Sequence, residues 1–393
     1  MLLNEPSHQL ASMIPRGDAE RRPLRIMTCI HSFDPGGVER VALRLNRAWR
    51  ALGVDARIVA GRASAVMPND AALNYEVIPG AERITRGTQL AWMLRRLPAI
   101  IRRDRPDILF CPGNTYSSVG VGMKLALSAA CPPVLCKISN DLSRADMGRV
   151  LRLGYWRWLA IQGRYIDRFV AMAPAMVDEI TARTGAAQSR IATINDPVLH
   201  DAELMRLAAI KRPPAPSGGR RFIAIGRLMP QKNFALLLRA FAQIATAQDR
   251  LTILGDGPER MALEQLGDAL GLDGRLMMPG HVDDLEPWLA DADVLVMSSD
   301  YEGVPAVVIE AIAANLPVIA TRCSASMADL IAHGAFGVLV DTGDEQALAD
   351  AMRAPPPPAE PVAAQAHVRQ FSVEQGAAEY LAVMQAMVLA PRR

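Results

Sequence analysis

Lysine is nearly missing from this chain. Lys124, Lys137, Lys211 and Lys232 are four of 43 basic residues, and all the others are Arg. Where Arg is the default, a loop lysine marks a place that calls for a compact point charge. The five cysteines (Cys29, Cys111, Cys131, Cys136 and Cys323) fall in no disulfide or metal-ligand pattern. That excludes a disulfide-stapled secreted fold and a thiolate metal centre. Cys29, Cys111 and Cys136 lie in short apolar runs that read as buried strands, as free thiols in a reducing compartment do. His31, His281 and His333 show no ligand spacing, so no metal is expected. A clean membrane span is also missing: 304–321 contains Glu310 and two prolines, and 117–136 contains Lys124 and a Pro-Pro pair. The first twenty-odd residues carry no apolar core of the signal-peptide kind, so a cytoplasmic chain is expected.

What is present describes a globular protein: 393 residues, 50% hydrophobic and 21% charged, long enough for two domains. The net charge of +2 hides a division. Residues 1–198 hold 27 Lys and Arg against 17 Asp and Glu, while 199–393 hold 16 against 24. A basic first half suits an anionic partner, either a membrane surface or a phosphorylated acceptor; Arg facing water is the plain alternative. Two stretches carry the charge: 83–103, six Arg with Trp92, and 144–168, six Arg with Tyr155, Trp156, Trp158 and Tyr165. The second suits an anionic leaflet or a lipid diphosphate better. Nucleic acid is excluded by the acidic second half and the lack of any recognition motif.

The order of elements is an α/β one. Residues 1–22 read as a loose tail. From Leu24 short apolar runs alternate with helical patterns, the signature of βαβ units and parallel sheets. Strands are expected at 24–31, 54–61, 107–111, 133–139, 168–172 and 190–194. Residues 199–220, ending in Pro213-Pro214-Ala215-Pro216-Ser217-Gly218-Gly219, read as a linker. A second set of strands follows at 221–226, 250–255, 275–280, 294–298, 317–320 and 337–340. The Pro-rich 354–370 is expected as a connection, before a helix at 371–390 that returns to the first domain. Two Rossmann-like domains, 23–198 and 221–353, would then face each other across a cleft, with ligands beyond the carboxyl ends of the strands.

Glu310 sits in an otherwise apolar run, where an unpaired carboxylate is costly, unless its helix turns it to water. Glu302 precedes it in the loop 299–303. The strand ending at Gly226 leads into Arg227-Leu228-Met229-Pro230-Gln231-Lys232-Asn233, two cations beside a helix start and a plausible anion site. Gly255-Asp256-Gly257-Pro258 and Gly280-His281-Val282 end neighbouring strands. Asp291-Ala292-Asp293 has the spacing of a metal-binding Asp pair, but it precedes a strand and so lies away from the cleft.

These pieces together resemble the donor half of the family 4 glycosyltransferases. They are Gly226-Arg227-Leu228 with Lys232-Asn233, Gly255 to Pro258, Gly280-His281-Val282, and Glu302-Gly303 with Glu310-Ala311. Gly36-Gly37-Val38-Glu39-Arg40 and Asn195-Asp196-Pro197-Val198 resemble the family's first loop and hinge. The resemblance implies a GT-B fold and a retaining, metal-independent transfer from a nucleoside diphosphate sugar such as a UDP-sugar. It implies that Arg227 and Lys232 hold the diphosphate and assist its departure, that Glu310 binds the ribose, and that Glu302 faces the sugar. Gly36 and Gly37 would approach the phosphates, and Gly226, Gly255, His281, Val282 and Gly303 complete the donor site. Asn140 and Asp141 stand as acceptor-side candidates.

The implied acceptor is a glycan or lipid-linked sugar, in lipopolysaccharide or exopolysaccharide assembly at the inner membrane face. Two departures stand out: Arg322 to Asp329 replaces the family's Gly-Pro-x-Glu stretch, and Lys137 to Asp141 lacks the His some relatives have there. A sugar-nucleotide epimerase or hydrolase, or a nucleotide-sugar-binding subunit without catalysis, are the alternatives.

Overall fold

The computed structural model describes residues 22–390 apart from 35, 65–66, 82–83, 86, 141, 143–146 and 214–217. The expected loose tail therefore lies outside the described residues except at Arg22, as do Asp141, Arg83, Arg86 and Arg144. The first sheet comprises β1 (Arg25–Ile30), β2 (Asp55–Ala60), β3 (Tyr75–Val77), β4 (Ile108–Cys111), β5 (Val134–Lys137), β6 (Arg168–Ala171) and β7 (Ile191–Thr193). Its order is β3-β2-β1-β4-β5-β6-β7, parallel throughout. The second comprises β8 (Arg221–Ile225), β9 (Arg250–Leu254), β10 (Leu276–Gly280), β11 (Val294–Met297), β12 (Val318–Thr321) and β13 (Gly337–Val340). Its order is β10-β9-β8-β11-β12-β13, again parallel. Strand order reverses beside β1 and beside β8, so each sheet has one switch point where a crevice opens. The short edge strand β3, with no fully buried residue, has too weak a pattern to stand out in the sequence.

Helix α1 (Gly37–Ala51) follows β1 and buries Val41, Ala42, Leu45, Asn46 and Trp49 at helical spacing. The remaining helices are α2 (Gln89–Asp104), α3 (Ser117–Leu127), α4 (Arg149–Tyr165), α5 (Met176–Thr184), α6 (Asp201–Ala208), α7 (Phe234–Ile244) and α8 (Arg260–Ala269). After these come α9 (Glu286–Ala290), α10 (Ala306–Ala313), α11 (Met327–Leu330), α12 (Glu345–Arg353), α13 (Pro361–Val368) and α14 (Val373–Leu389). The last one crosses back: Ala377, Tyr380, Leu381, Met384 and Met387 share a core with Trp49, Phe110 and Leu135 of the first domain. Trp49 Nε1 donates to the carbonyl of Ala377 at 3.1 Å.

Two stretches expected as connections contain helices. Within 199–220, α6 is closed at its start by the Glu203 side chain, which accepts from the His200 N–H at 2.6 Å, and Leu204 and Leu207 enter the second core. Within 354–370, Pro361 opens α13, which packs Ala364 and Val368 into the same core as Ile309 and Ile312 of α10. Proline reads as a breaker by composition but is at home in the first helical turn, and this misleads a reading by content. The two chain crossings between domains lie side by side. Val198 N donates to Phe371 O at 2.9 Å, and Val373 N to Leu199 O at 2.9 Å. Beside them the fully buried Lys137 is paired with Asp196 of the crossing.

Candidate active site

The carboxyl ends of β8, β9 and β10 come together through glycines. A Cβ on Gly255, whose φ is +138°, would lie 1.9 Å from the Gly226 carbonyl oxygen, and Gly255 N donates to Gly280 O at 2.8 Å. Only glycine meets both demands. A Cβ on Gly226 would in turn lie 3.0 Å from Lys232 Cε, so that glycine lets the lysine side chain lie across the strand end.

Two loops are sewn together here, one after β8 and one after β11. Ser298 Oγ donates to Lys232 O at 2.9 Å, Asp300 N to Gln231 O at 2.9 Å, Gln231 Nε2 to Tyr301 O at 2.7 Å and Asn233 Nδ2 to Asp300 Oδ1 at 2.9 Å. Asn233 is left-handed (φ 47°) and caps α7, its side chain accepting from Leu236 N. The result is a direct ion pair: Lys232 Nζ lies 2.5 Å from Glu302 Oε1. Arg227 is exposed beside it, and among the described residues no ion pair engages it.

The stretch Arg322 to Asp329, a departure by sequence, does a structural job. Ser324 Oγ and Ser326 Oγ both donate to Gly303 O, at 2.9 and 2.7 Å, and Glu302 N donates to Cys323 O at 3.2 Å. Gly303 then meets the first domain. A Cβ there would lie 2.1 Å from Ser139 O and 3.1 Å from Asn140 Oδ1. Asn140, expected on the acceptor side, thus touches the loop that carries Glu302. On the same side, a Cβ on Gly36 would collide with Glu39, whose carboxylate accepts from the Tyr116 hydroxyl, whereas Gly37 has open space around it.

Glu310 does not face bulk water: it is 9% exposed, on α10. Burial pushes its carboxyl above the ordinary Glu range, aided by the charge of Glu203 and opposed by Arg40 and Arg44 of α1. Those arginines lie four residues apart on one helix face, and Arg44 Nη2 also bridges the domains to Glu203 Oε1 at 3.1 Å. Sequence reading missed both as cleft residues, because nothing local connects α1 to α10. Among the described residues no side chain donates a hydrogen bond to the Glu310 carboxylate, leaving its acceptors for a ligand.

A raised carboxyl means the folded chain holds that proton more tightly than the unfolded chain. Stability therefore falls as pH rises from the ordinary Glu value through the raised one, and the penalty is complete above both. Glu310→Gln should thus raise Tm when measured above that window without nucleotide, by about 2–4 °C for each kcal/mol relieved. A lower Tm in scanning calorimetry would contradict the buried, uncompensated carboxylate.

His281, at the end of β10, is largely exposed, with Nε2 3.6 Å from Asp283 Oδ1; Val282 packs against the second core. Arg221 engages Asp291 and Asp293 at the opposite end of the sheet, consistent with their place before β11. Among the described residues there is no group of three or more His, Cys, Asp or Glu placed to hold a metal ion.

Two Rossmann-like domains with a cation–carboxylate site at the strand ends define a GT-B glycosyltransferase architecture. Residues 35–201 match Glycosyltransferase Family 4, and residues 219–354 match Glycosyl transferases group 1. The lipopolysaccharide core biosynthesis glycosyltransferase LpsE of Rhizobium meliloti (strain 1021) is 34% identical over 334 residues, covering 83% of this chain and 87% of its own length. LpsD of the same organism is 26% identical over 326 residues, covering 82% and 86%. Among solved structures, Anabaena Alr3699/HepE in complex with UDP superposes with a TM-score of 0.73 at 19% identity, over 92% of this chain and 100% of that one. The chain belongs to the family 4 glycosyltransferases and is a glycosyltransferase.

Proposed function

We propose that the protein transfers a sugar, with retention, from a nucleoside diphosphate sugar to a glycan or lipid-linked acceptor in lipopolysaccharide core or exopolysaccharide assembly. The observation that carries this reading is the Lys232–Glu302 contact beside Arg227, at the switch point of the second sheet. Arg227 and Lys232 supply positive charge where a diphosphate leaves, the electrostatic task that such a departure sets. In this reading those cations, with no resident metal, neutralise the leaving group. The Glu310 carboxylate, which accepts no side-chain hydrogen bond among the described residues, suits ribose hydroxyls, and in this reading Glu302 faces the sugar. The relatives' names support the pathway, since LpsE and LpsD are both lipopolysaccharide core enzymes. The UDP in the HepE structure supports a uridine donor.

Incubation with labelled UDP-, GDP- and ADP-sugars, with and without truncated lipopolysaccharide core, tests the reading. Acceptor-dependent transfer, with the donor's anomeric configuration kept in the product by NMR, is expected. Epimer or free sugar formed without acceptor would favour the other enzyme class.

A membrane surface is the partner we assign to α4. The aromatic residues expected at the interface instead pack inward: Tyr155, Trp156, Trp158 and Tyr165 lie against the first core, with Arg183 4.4 Å above the Trp156 ring. The outward residues are Val150, Leu151 and Leu153, exposed by 86%, 73% and 59%, alongside the exposed Arg157 and Arg164, while the half-buried Arg152 lies 5.5 Å from the Trp156 ring. In the other basic stretch Arg103 is paired with Glu76 and Asp104, and Arg96 stacks on Trp92; α4 differs in carrying exposed apolar residues beside its arginines. No helix among the described residues is long and apolar enough to cross a membrane. Apolar tips flanked by Arg suit shallow insertion into an anionic leaflet. Replacing Arg152 and Arg157 with Gln should weaken flotation with anionic vesicles, by about 1 kcal/mol per residue. Equal recovery on neutral and anionic vesicles would remove this partner.

A further inference from the structure

The cation assigned above to the diphosphate already has an anion. Lys232 Nζ is 2.5 Å from Glu302 Oε1, and neither side chain is more than 18% exposed. The loop that carries Glu302 is anchored through its backbone. Its own N–H is tied to Cys323 O, the next carbonyl is held by Ser324 and Ser326, and Gly303 is stopped by Ser139 of the first domain. A diphosphate that binds Lys232 must therefore share its ammonium, which has three donors, with a carboxylate on an anchored loop.

We propose that Glu302 is a specificity-determining residue that separates the intact sugar nucleotide from the spent nucleoside diphosphate. This rests on the nucleotide-sugar reading given above. With the intact donor, the sugar lies beside Glu302 and its hydroxyls donate to the carboxylate, offsetting the sharing of Lys232. The sugar ester also leaves the β-phosphate one ionisable oxygen fewer. The spent nucleotide brings no hydroxyl there and more negative charge, so two anions crowd one ammonium. Burial makes that repulsion stronger than it would be in water. Product release then leaves Glu302 as the sole anion on Lys232 and restores the starting pair. The glycosyl transfer itself is unchanged, since only the charges around it are rearranged.

Titration calorimetry on wild type and Glu302→Gln, with UDP against UDP-glucose and the matching ADP and GDP pairs, tests this. In the variant the nucleoside diphosphate should bind about tenfold tighter, which corresponds to one like-charge contact of ordinary size. The sugar nucleotide should change by less than about threefold, because one gain and one loss offset each other. Product inhibition in turnover should strengthen in step. Glu302→Asp keeps the charge and should keep the discrimination. If the pair only braces the two loops, Glu302→Gln weakens both ligands together, and that result overturns the proposal, as does an unchanged ratio. If wild type binds none of the six ligands, the nucleotide-sugar reading fails first and takes this inference with it. Circular dichroism melts of both variants separate loss of fold from loss of discrimination.

Discussion

Lys232→Ala is expected to lower kcat for transfer by roughly two to three orders of magnitude, the usual effect of removing one charge-stabilising group from a reacting centre. The reason is positional. Lys232 lies across Gly226 with its ammonium held at the switch point, where the second sheet has its crevice, and Arg227 beside it is more exposed. Charge on a leaving diphosphate grows as the bond to the sugar breaks, so a fixed cation is worth more in the transition state than in the bound donor. Lys232→Arg should not restore the rate, because the guanidinium is planar and longer and cannot lie in the same space over Gly226. The measurement is nucleoside diphosphate release under saturating donor and acceptor, with a thermal melt as the control. Near-normal turnover in a folded Lys232→Ala protein would take Lys232 out of the site.

The second large effect divides two carboxylates by task. Glu310→Gln keeps the shape and loses the charge, so donor KM should rise by about 10- to 100-fold, the value of a hydrogen bond to a charged group. Its kcat should change little, since the ribose contact is the same before and during reaction. Glu302→Gln should do the reverse, lowering kcat with donor KM nearly unchanged, the pattern of an interaction made mainly in the transition state. Both parameters for both variants, at saturating acceptor, decide the matter. Reversed patterns would mean that the donor lies the other way along the cleft. A raised KM together with the higher Tm expected for Glu310→Gln would identify Glu310 as a residue kept for binding at a cost to the fold.

Much of this was legible in the chain. The strand positions of both sheets, apart from β3, follow from apolar runs bounded by turns. The gathering of the motif residues follows from motif order, because each motif ends a strand and parallel strands in one sheet bring those ends together. Cys29, Cys111 and Cys136 follow too: all three are buried in strands, and burial pushes Cys111 up to about 12, so they are packing residues with little reactivity. Helices α6 and α13 were hidden by their Pro-rich surroundings, and the role of Ser324 and Ser326 was hidden by the lack of the motif expected there. The aromatic residues of α4 misled in the other direction, since their spacing does not say which face the helix buries.

By itself the sequence determined the alternation of strand and helix, the division into two units, and the identity of the residues at the strand ends, because these depend on local periodicity and on short loops. Only the tertiary structure decided what those residues meet. Lys232 and Glu302 are 70 positions apart and become an ion pair because β8 and β11 are neighbours in the sheet. Arg40 and Arg44 bear on Glu310 because the domains close across a cleft that no local pattern describes. A carboxylate in an apolar run poses a question that the sequence can state. Its environment, set by chain crossings far away, supplies the answer, because the cost of a buried charge depends on every element packed around it.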